Sequence, residues 1–196
     1  LALGLIQSRI LMIAERDKDA IEILQSLLQE NDRNLWLHYY LAICYDKLKQ
    51  FENTEKHLKI CIEIDPENAE LLNFLGYLYA DKNVNLTEAE NLIRRALKIE
   101  PDNPFYLDSL GWVYYRRGDA QNAIKYIRNA IYKMDTDDAV LRDHLGDAYL
   151  LSGDIKRAIE EWERSIVLDP KNEEVKQKIE KYRKELESKV KTSPSQ

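Results

Sequence analysis

The side chains that could do chemistry are few and scattered along the chain. Two cysteines, Cys44 and Cys61, match no zinc-ligand spacing and form no Cys-x-x-Cys. Both fall on apolar faces, which predicts two small buried thiols rather than a disulfide. Three histidines, His38, His57 and His144, fall in different segments. His144 has Asp143 and Asp147 beside it, and His144 with Asp147 is a one-turn pair on a helix. A metal site there would need further ligands. The chain contains no Gly-x-Ser-x-Gly, no phosphate loop, no His-Glu-x-x-His and no dinucleotide fingerprint. Glu160-Glu161 and Glu173-Glu174 read as solvated helix faces, not as a catalytic carboxylate pair. Asn85-Leu86-Thr87 has the form of a glycosylation acceptor, but it sits where a turn and a helix start are expected. These residues predict no catalytic centre, no cofactor site and no metal site, hence a protein that is not an enzyme.

The elements that position these residues are set by a repeat. Leu-Gly-x-x-Tyr occurs at Leu75–Tyr79, Leu110–Tyr114 and Leu145–Tyr149, with a weaker copy at Leu41–Tyr45. The steps are 34, 35 and 35 residues. Small residues recur in register at Ala89 and Ala96, Ala123 and Ala130, and Ala158 and Ser165, with Ile93, Ile127 and Trp162 between them. Cys61 takes the place of Ala96 and Ala130, which supports its packing role. The chain divides into units 1–34, 35–68, 69–103, 104–138 and 139–172, with one extra residue in 81–85. Within 104–138, Leu107, Leu110, Gly111 and Tyr114 make one apolar helix face, and Ala120, Ala123, Ile127, Ala130 and Ile131 make a second. Arg117-Gly118-Asp119 lies between them as a helix stop followed by a helix start. Each unit is therefore a helix hairpin. One hairpin cannot bury its own face, so neighbours must stack.

The pattern resembles the tetratricopeptide repeat, W-x2-L-G-x2-Y…A-x3-F…P. The third unit matches through Leu72, Leu75, Gly76, Tyr79, Ala89, Ile93 and Pro101. The fourth matches through Leu107, Leu110, Gly111, Tyr114, Ala123 and Ile127, and the fifth through Leu145, Gly146, Tyr149, Ala158, Trp162 and Pro170. The resemblance covers roughly 1–172. The initial tryptophan is absent, and Asp32 and Asp135 replace the closing proline. The wording of residues 106–112 and 144–147 looks like repeat proteins of bacteria. The resemblance implies an all-α fold, a right-handed α-solenoid of stacked antiparallel helix hairpins. It also implies that the first helix of each hairpin lines a concave face.

A single domain over 1–191 is expected, with a capping helix at 173–190 and a disordered polar tail at 192–196. Val175, Ile179, Tyr182 and Leu186 give that helix one apolar stripe, and a polar outer face would end the stack. At the other end Leu1-Ala2-Leu3-Gly4-Leu5-Ile6 is apolar all round, but the run is far short of the roughly 20 residues a membrane span needs. That end reads as a fragment boundary, with Leu1, Leu5 and Ile6 packed against a missing neighbour. Alternatively it is a homo-oligomer contact. No direct membrane insertion is expected.

Hydrophobic residues make up 44% of the chain and charged residues 33%, with a net charge of −6. Residues 173–191 hold seven basic and five acidic side chains, leaving 22 basic against 30 acidic elsewhere. An acidic body repels phosphate backbones, so nucleic acid is not an expected partner. Free thiols suit a reducing cytosol, and an exported or membrane-anchored parent protein stays open.

Function is expected on the concave face. The candidate partner-binding residues are Trp36, Tyr39, Tyr40 and Ile43 in the second unit, and Asn73 and Tyr77 in the third. In the fourth they are Asp108, Trp112, Tyr115 and Arg116, and in the fifth Asp143, His144 and Asp147. The set is aromatic for a solvated face, and tyrosine, tryptophan and arginine are enriched at binding hot spots. Phe74 and Phe105 are expected to fill space between units. Asp108, Asp143 and Asp147, with only Arg116 opposing, predict an acidic end that accepts basic or aromatic and apolar segments. The resemblance allows two binding modes to be weighed. The carboxylate clamp of chaperone-binding members would fall on Tyr39, Ile43, Asn73, Phe105 and Ser109, where only the asparagine is kept. The asparagine ladder of sugar-transferase members would fall on Ile6, Tyr40, Phe74, Ser109 and His144, and is absent. The expected function is an interaction scaffold for a peptide or partner helix, the alternative being a regulatory or self-assembling segment of a larger protein.

Overall fold

The computed structural model describes residues 1–192, with side chains to Ser188, and every regular element among them is an α-helix. The order is α1 (Ala2–Ile13), α2 (Asp17–Leu28), α3 (Leu35–Lys47), α4 (Phe51–Ile64), α5 (Ala69–Asp81) and α6 (Leu86–Ile99). It continues with α7 (Pro104–Arg116), α8 (Ala120–Lys133), α9 (Ala139–Leu151), α10 (Ile155–Leu168) and α11 (Glu173–Thr192). Of the tail expected over 192–196, Thr192 belongs to α11 and the rest lies outside the described residues.

The helix starts follow from capping chemistry. Asn34, Asn68, Asn103, Asp138 and Asn172 each accept a backbone amide three residues ahead, from Leu37, Leu71, Tyr106, Leu141 and Val175. Each satisfies an amide that has no partner inside its helix, a gain of about 1 kcal/mol. Asp119 and Asp154 do the same for α8 and α10. Between the helices of each pair one residue turns the chain with positive φ: Glu15, Lys49, Asn83, Gly118 and Gly153. Asn85 is a second left-handed residue in the third pair (φ 47°), where the extra residue is taken up.

Close approach fixes each pair. A Cβ on Gly111 would stand 2.5 Å from Ile127 Cγ1 and 3.2 Å from the Ala123 carbonyl. At Gly76 it would meet Ile93 Cγ1 at 2.6 Å, and at Gly146 Trp162 Cδ1 at 2.5 Å. The first pair balances this differently. Leu27 occupies the place of the small residues Cys61, Ala96 and Ala130, and Gly4 makes room, its absent Cβ lying 2.6 Å from Leu27 Cδ1. Pairs then stack, and the core runs along the stack in successive clusters. Leu24, Leu37 and Leu41 join the first two pairs, and Leu58, Leu72, Tyr79 and Ile93 fill the middle. At the far end Ile127 and Trp162 pack with Val175 and Ile179 of α11. On α1, Leu5 turns inward to this core, while Leu3 (78% exposed) and Ile13 (82%) face outward with Ile6 and Ile10. Of the face expected from Leu1, Leu5 and Ile6, Leu5 is thus corrected to the core, while Leu1 and Ile6 are exposed. No helix among the described residues is long and apolar enough to cross a membrane.

Cys44 and Cys61 are fully buried and unpaired, and burial pushes each thiol up to about 12. His38 and His57 meet inside the second pair, Nδ1 to Nδ1 at 2.8 Å. His38 Nε2 lies 2.8 Å from the Asp32 carbonyl, which can only accept, so that nitrogen carries the proton. In the neutral pair His38 Nδ1 then accepts from His57 Nδ1. Tyr45 stacks on His57 at 5.6 Å. Burial, followed by His38 and Lys56, lowers His57 to about 4.

Two outcomes follow from this packing. Gly111→Ala should lose about 1–3 kcal/mol of unfolding free energy through overpacking. Urea denaturation checks it, and the loss should be smaller when Gly111→Ala is made in an Ile127→Ala background, where the side chain that the new methyl meets is gone. For His57 the unfolded chain binds the proton first, so stability falls as pH drops from about 6.5 towards 4. The local slope is at most about 1.4 kcal/mol per pH unit. Denaturation of the wild type and His57→Gln at pH 7 and pH 5 should show a shallower acid loss in the variant.

Candidate interaction surface

The inner face of the stack is identified by which helices touch. α1 packs on α3, α5 on α7, and α7 on α9, each contact skipping the helix between. No comparable contact joins α2, α4, α6, α8 and α10 among the described residues. The first helices converge and the second helices splay, so the first helices line the concave side. All thirteen candidate residues lie on α3, α5, α7 and α9.

At one end, Trp36 stands exposed with its ring 6.2 Å from Tyr39 and 6.1 Å from Tyr40. The Tyr39 hydroxyl donates to Glu70 across α3 and α5, and burial, then Glu70, raises its pKa. Ile43 is half-buried on the same helix.

In the middle, a cavity of about 340 Å³ opens between α5, α7 and α9. Phe74, Phe105 and Leu141 supply apolar wall. Asn73, Tyr77, Asp108 and His144 supply the polar groups, and Glu70 and Asp138 add two more acids to the lining. Asp108 is 5% exposed. Its Oδ2 accepts from His144 Nδ1 at 2.8 Å. Its Oδ1, like Asn73 Oδ1, is buried without a hydrogen-bond partner among the described residues. An acceptor left in that state costs about 1–3 kcal/mol. Burial works against the charge of His144, yet Asp108, with Asp143 and Asp147, holds its pKa above the ordinary histidine value. Burial, then Asp81 and Asp108, raises Tyr77 to about 12.

At the other end Trp112 is the centre of a column. It stacks on His144 at 4.2 Å and on Tyr115 at 4.5 Å, with the Arg116 guanidinium 5.0 Å from its ring. Arg116 also donates to the Asp81 carbonyl at 2.5 Å. A second cavity, about 530 Å³, lies beyond, lined in part by Trp112, Tyr115, Arg116, Asp147, Lys178 and Lys181.

Two expectations change here. The acidic end was to have only Arg116 opposing it. Instead Lys178 of α11 donates to Asp143 at 2.8 Å and to both oxygens of Asp147 at 2.9 Å, and Trp162 Nε1 donates to Asp147 at 3.1 Å. Those two carboxyl groups are engaged within the fold, and the carboxyl oxygen left free on this face is Asp108 Oδ1, whose partner oxygen faces His144. Phe105, expected to fill space between units, is 55% exposed and forms cavity wall. Sequence reasoning missed Lys178 and Glu70. A signal for Lys178 exists, since it falls 35 residues after Asp143, one repeat period away.

Family models described as tetratricopeptide repeat match residues 69–103 and 109–173, together just over half of the chain. The chain belongs to the tetratricopeptide repeat family. Proteins of this family are generally non-catalytic scaffolds for protein–protein interaction. A TPR repeat-containing protein of Pseudomonas aeruginosa is 32% identical over 91 residues, 46% of this chain and 15% of its own length. The chain thus matches only a small part of that relative. Among solved structures, a thermophilic TPR protein of Thermus thermophilus superposes with a TM-score of 0.75 at 19% identity, covering 92% of this chain and 97% of that one. PilW, a type IV pilus biogenesis factor, gives 0.75 at 15% identity over 98% and 94%. A chain of the APC/C hetero-tetramer Cut9-Hcn1 gives 0.83 at 16% identity, over 95% of this chain and 36% of that one. At these identities the likeness is one of fold, an all-helical solenoid.

Removing Lys178 from this TPR stack leaves two facing acids partly buried. Burial already raises Asp147, with Lys178 pulling the other way. Lys178→Met should cost about 2 kcal/mol, less than a fully buried pair because Lys178 keeps some solvent contact. With Asp147 raised further, the variant's deficit should shrink as pH falls through the carboxylate range, which denaturation at pH 7 and pH 4.5 would show.

Proposed function

We propose that the concave face of this TPR stack is a docking groove for an extended peptide or a helix of a protein partner. The observation that supports it is the cavity of about 340 Å³ built jointly by α5, α7 and α9, with aromatic and aliphatic wall and buried polar groups inside. A cavity of that size suits a side chain or two of a partner. The exposed aromatics Trp36 and Phe105 extend the apolar surface on either side of Tyr39 and Glu70. The family's general role as a scaffold agrees with this reading, as does a fold neighbour that sits in a hetero-tetramer. The partner favoured is basic, with aromatic or apolar side chains between the basic ones. The acidic balance of the body disfavours nucleic acid.

The best probes are the exposed groove residues, because Trp112 (7% exposed) is part of the packing and its loss would confuse folding with binding. Peptides selected from a random phage library against the wild type, with affinity then measured by calorimetry, provide the test. Trp36→Ala and Phe105→Ala should each weaken binding about tenfold with unchanged thermal unfolding. Val167→Ala, on the second helix of its pair and 79% exposed, should leave affinity unchanged. Equal losses for all three variants, or no selectable peptide, would sink the groove.

A further inference from the structure

We infer that the cavity between α5, α7 and α9 is a subsite for one cationic side chain of the partner, an arginine or a lysine. This deepens the groove reading and rests on it. The cavity carries a buried hydrogen-bond acceptor with nothing to accept: Asp108 is only 5% exposed and its Oδ1 has no partner among the described residues. His144 already serves the other oxygen, so Oδ1 is the one left for a ligand. Asn73 Oδ1, on the adjacent helix, is a second buried acceptor without a donor. The chemistry that answers two acceptors is a group with several N–H donors and no acceptor of its own, which describes guanidinium and ammonium.

The walls fit the rest of such a side chain. Phe74, Phe105 and Leu141 present apolar surface to its methylene stem, and the aromatic faces can hold a cation. The charges also agree. Asp108, Glu70 and Asp138 line the cavity, and its one basic lining residue is His144, already paired with Asp108. Asp138 already caps α9 through Oδ1, which accepts from Val140 and Leu141, and it adds negative charge to the lining. The neighbouring cavity mixes charges, Arg116, Lys178 and Lys181 with Asp81, Asp147 and Glu174, and the buried atoms there without a partner among the described residues, Trp112 Nε1 and Arg116 Nε, are donors. A cation is thus directed to the Asp108 side and away from α11. The acids that the sequence pattern offered for this task, Asp143 and Asp147, are held by Lys178.

The test is an NMR titration of ¹⁵N-labelled protein with Nα-acetyl-arginine methylamide, with Nα-acetyl-lysine methylamide, and with the citrulline analogue, which keeps shape and loses charge. The expected result is shift changes centred on Asn73, Phe105–Ser109 and Val140–His144 with the two cations, and at least tenfold weaker binding of the citrulline compound. Asp108→Asn should weaken the cations about tenfold. Glu70→Gln, at an exposed position, should weaken them about threefold and keeps the measurement interpretable if Asp108→Asn does not fold. Equal binding of citrulline, shifts centred elsewhere, or indifference to both variants would overturn the assignment. If library-selected peptides still bind through Trp36 and Phe105 in that case, the groove stands and only its cation subsite falls. If no peptide and no cation binds, both fall.

Discussion

In the third, fourth and fifth helix pairs the first helix presents no side chain to the second where the two come closest. Ile93, Ile127 and Trp162 occupy the space that a Cβ on Gly76, Gly111 or Gly146 would need. Flat, tightly closed pairs stack at a nearly constant offset, and a constant offset has a chemical consequence. Residues one period apart meet across adjacent first helices. Arg116 reaches Asp81, Lys178 reaches Asp143, and His144 reaches Asp108, at separations of 35, 35 and 36 residues. The polar chemistry of the concave face is therefore a by-product of how the helix pairs close.

The fold also tolerates different chemistry at one structural position. The place held by Leu72 and Leu92 in the third unit holds Leu107 and Tyr126 in the fourth, His38 and His57 in the second, and Arg142 and Glu161 in the fifth. The histidines are joined at 2.8 Å and the ion pair at 2.7 Å. Polar pairs survive there because each member satisfies the other, and losing one partner would leave a buried group exposed to the full desolvation cost. Environment then separates the histidines. His57, buried beside a second histidine and near Lys56, is driven towards neutrality. His144, buried beside Asp108, is held towards charge. The same side chain thus stabilises the fold on opposite sides of its ordinary pKa.

The fold was legible because it rests on a period, and a period survives in the residue order. Leu75-Gly76, Leu110-Gly111 and Leu145-Gly146 mark the close approaches directly, and Arg117-Gly118-Asp119 marks a turn that the structure places at Gly118 with φ 78°. The residues of the concave side were legible for the same reason, since helical spacing says which side chains share a face. Depth was not. Trp112 and Asp108 share that face with Trp36 and Phe105, yet the first two are 7% and 5% exposed and the last two are both 55% exposed. Spacing assigns an azimuth on a helix, while burial depends on what the next helix brings opposite. Lys178 shows the same limit. Its charge was visible, but its meeting with Asp143 and Asp147 depends on α11 continuing the stack in register with α9.

Those pairings divide the groove electrically. Around Tyr39 and Glu70 the surface is aromatic with an acid bound to a phenol. Around Asp108 it is acidic with acceptor capacity unfilled. Beyond the Trp112 column the bases Arg116, Lys178 and Lys181 stand among the acids Asp81, Asp147 and Glu174, and the unfilled capacity belongs to donors. A partner running along the face would meet rings, an unfilled acceptor and unfilled donors in that order. Binding strength can come from the rings, which accept many sequences. In the proposed docking mode, orientation would come from the unfilled acceptor of one cavity and the unfilled donors of the other, because a reversed partner would place its cation against Arg116 and its acceptors against Asp108. Discrimination of this kind works by penalising the wrong arrangement. It would require little more than Asp108 Oδ1 and Trp112 Nε1, two of the buried atoms without partners among the described residues.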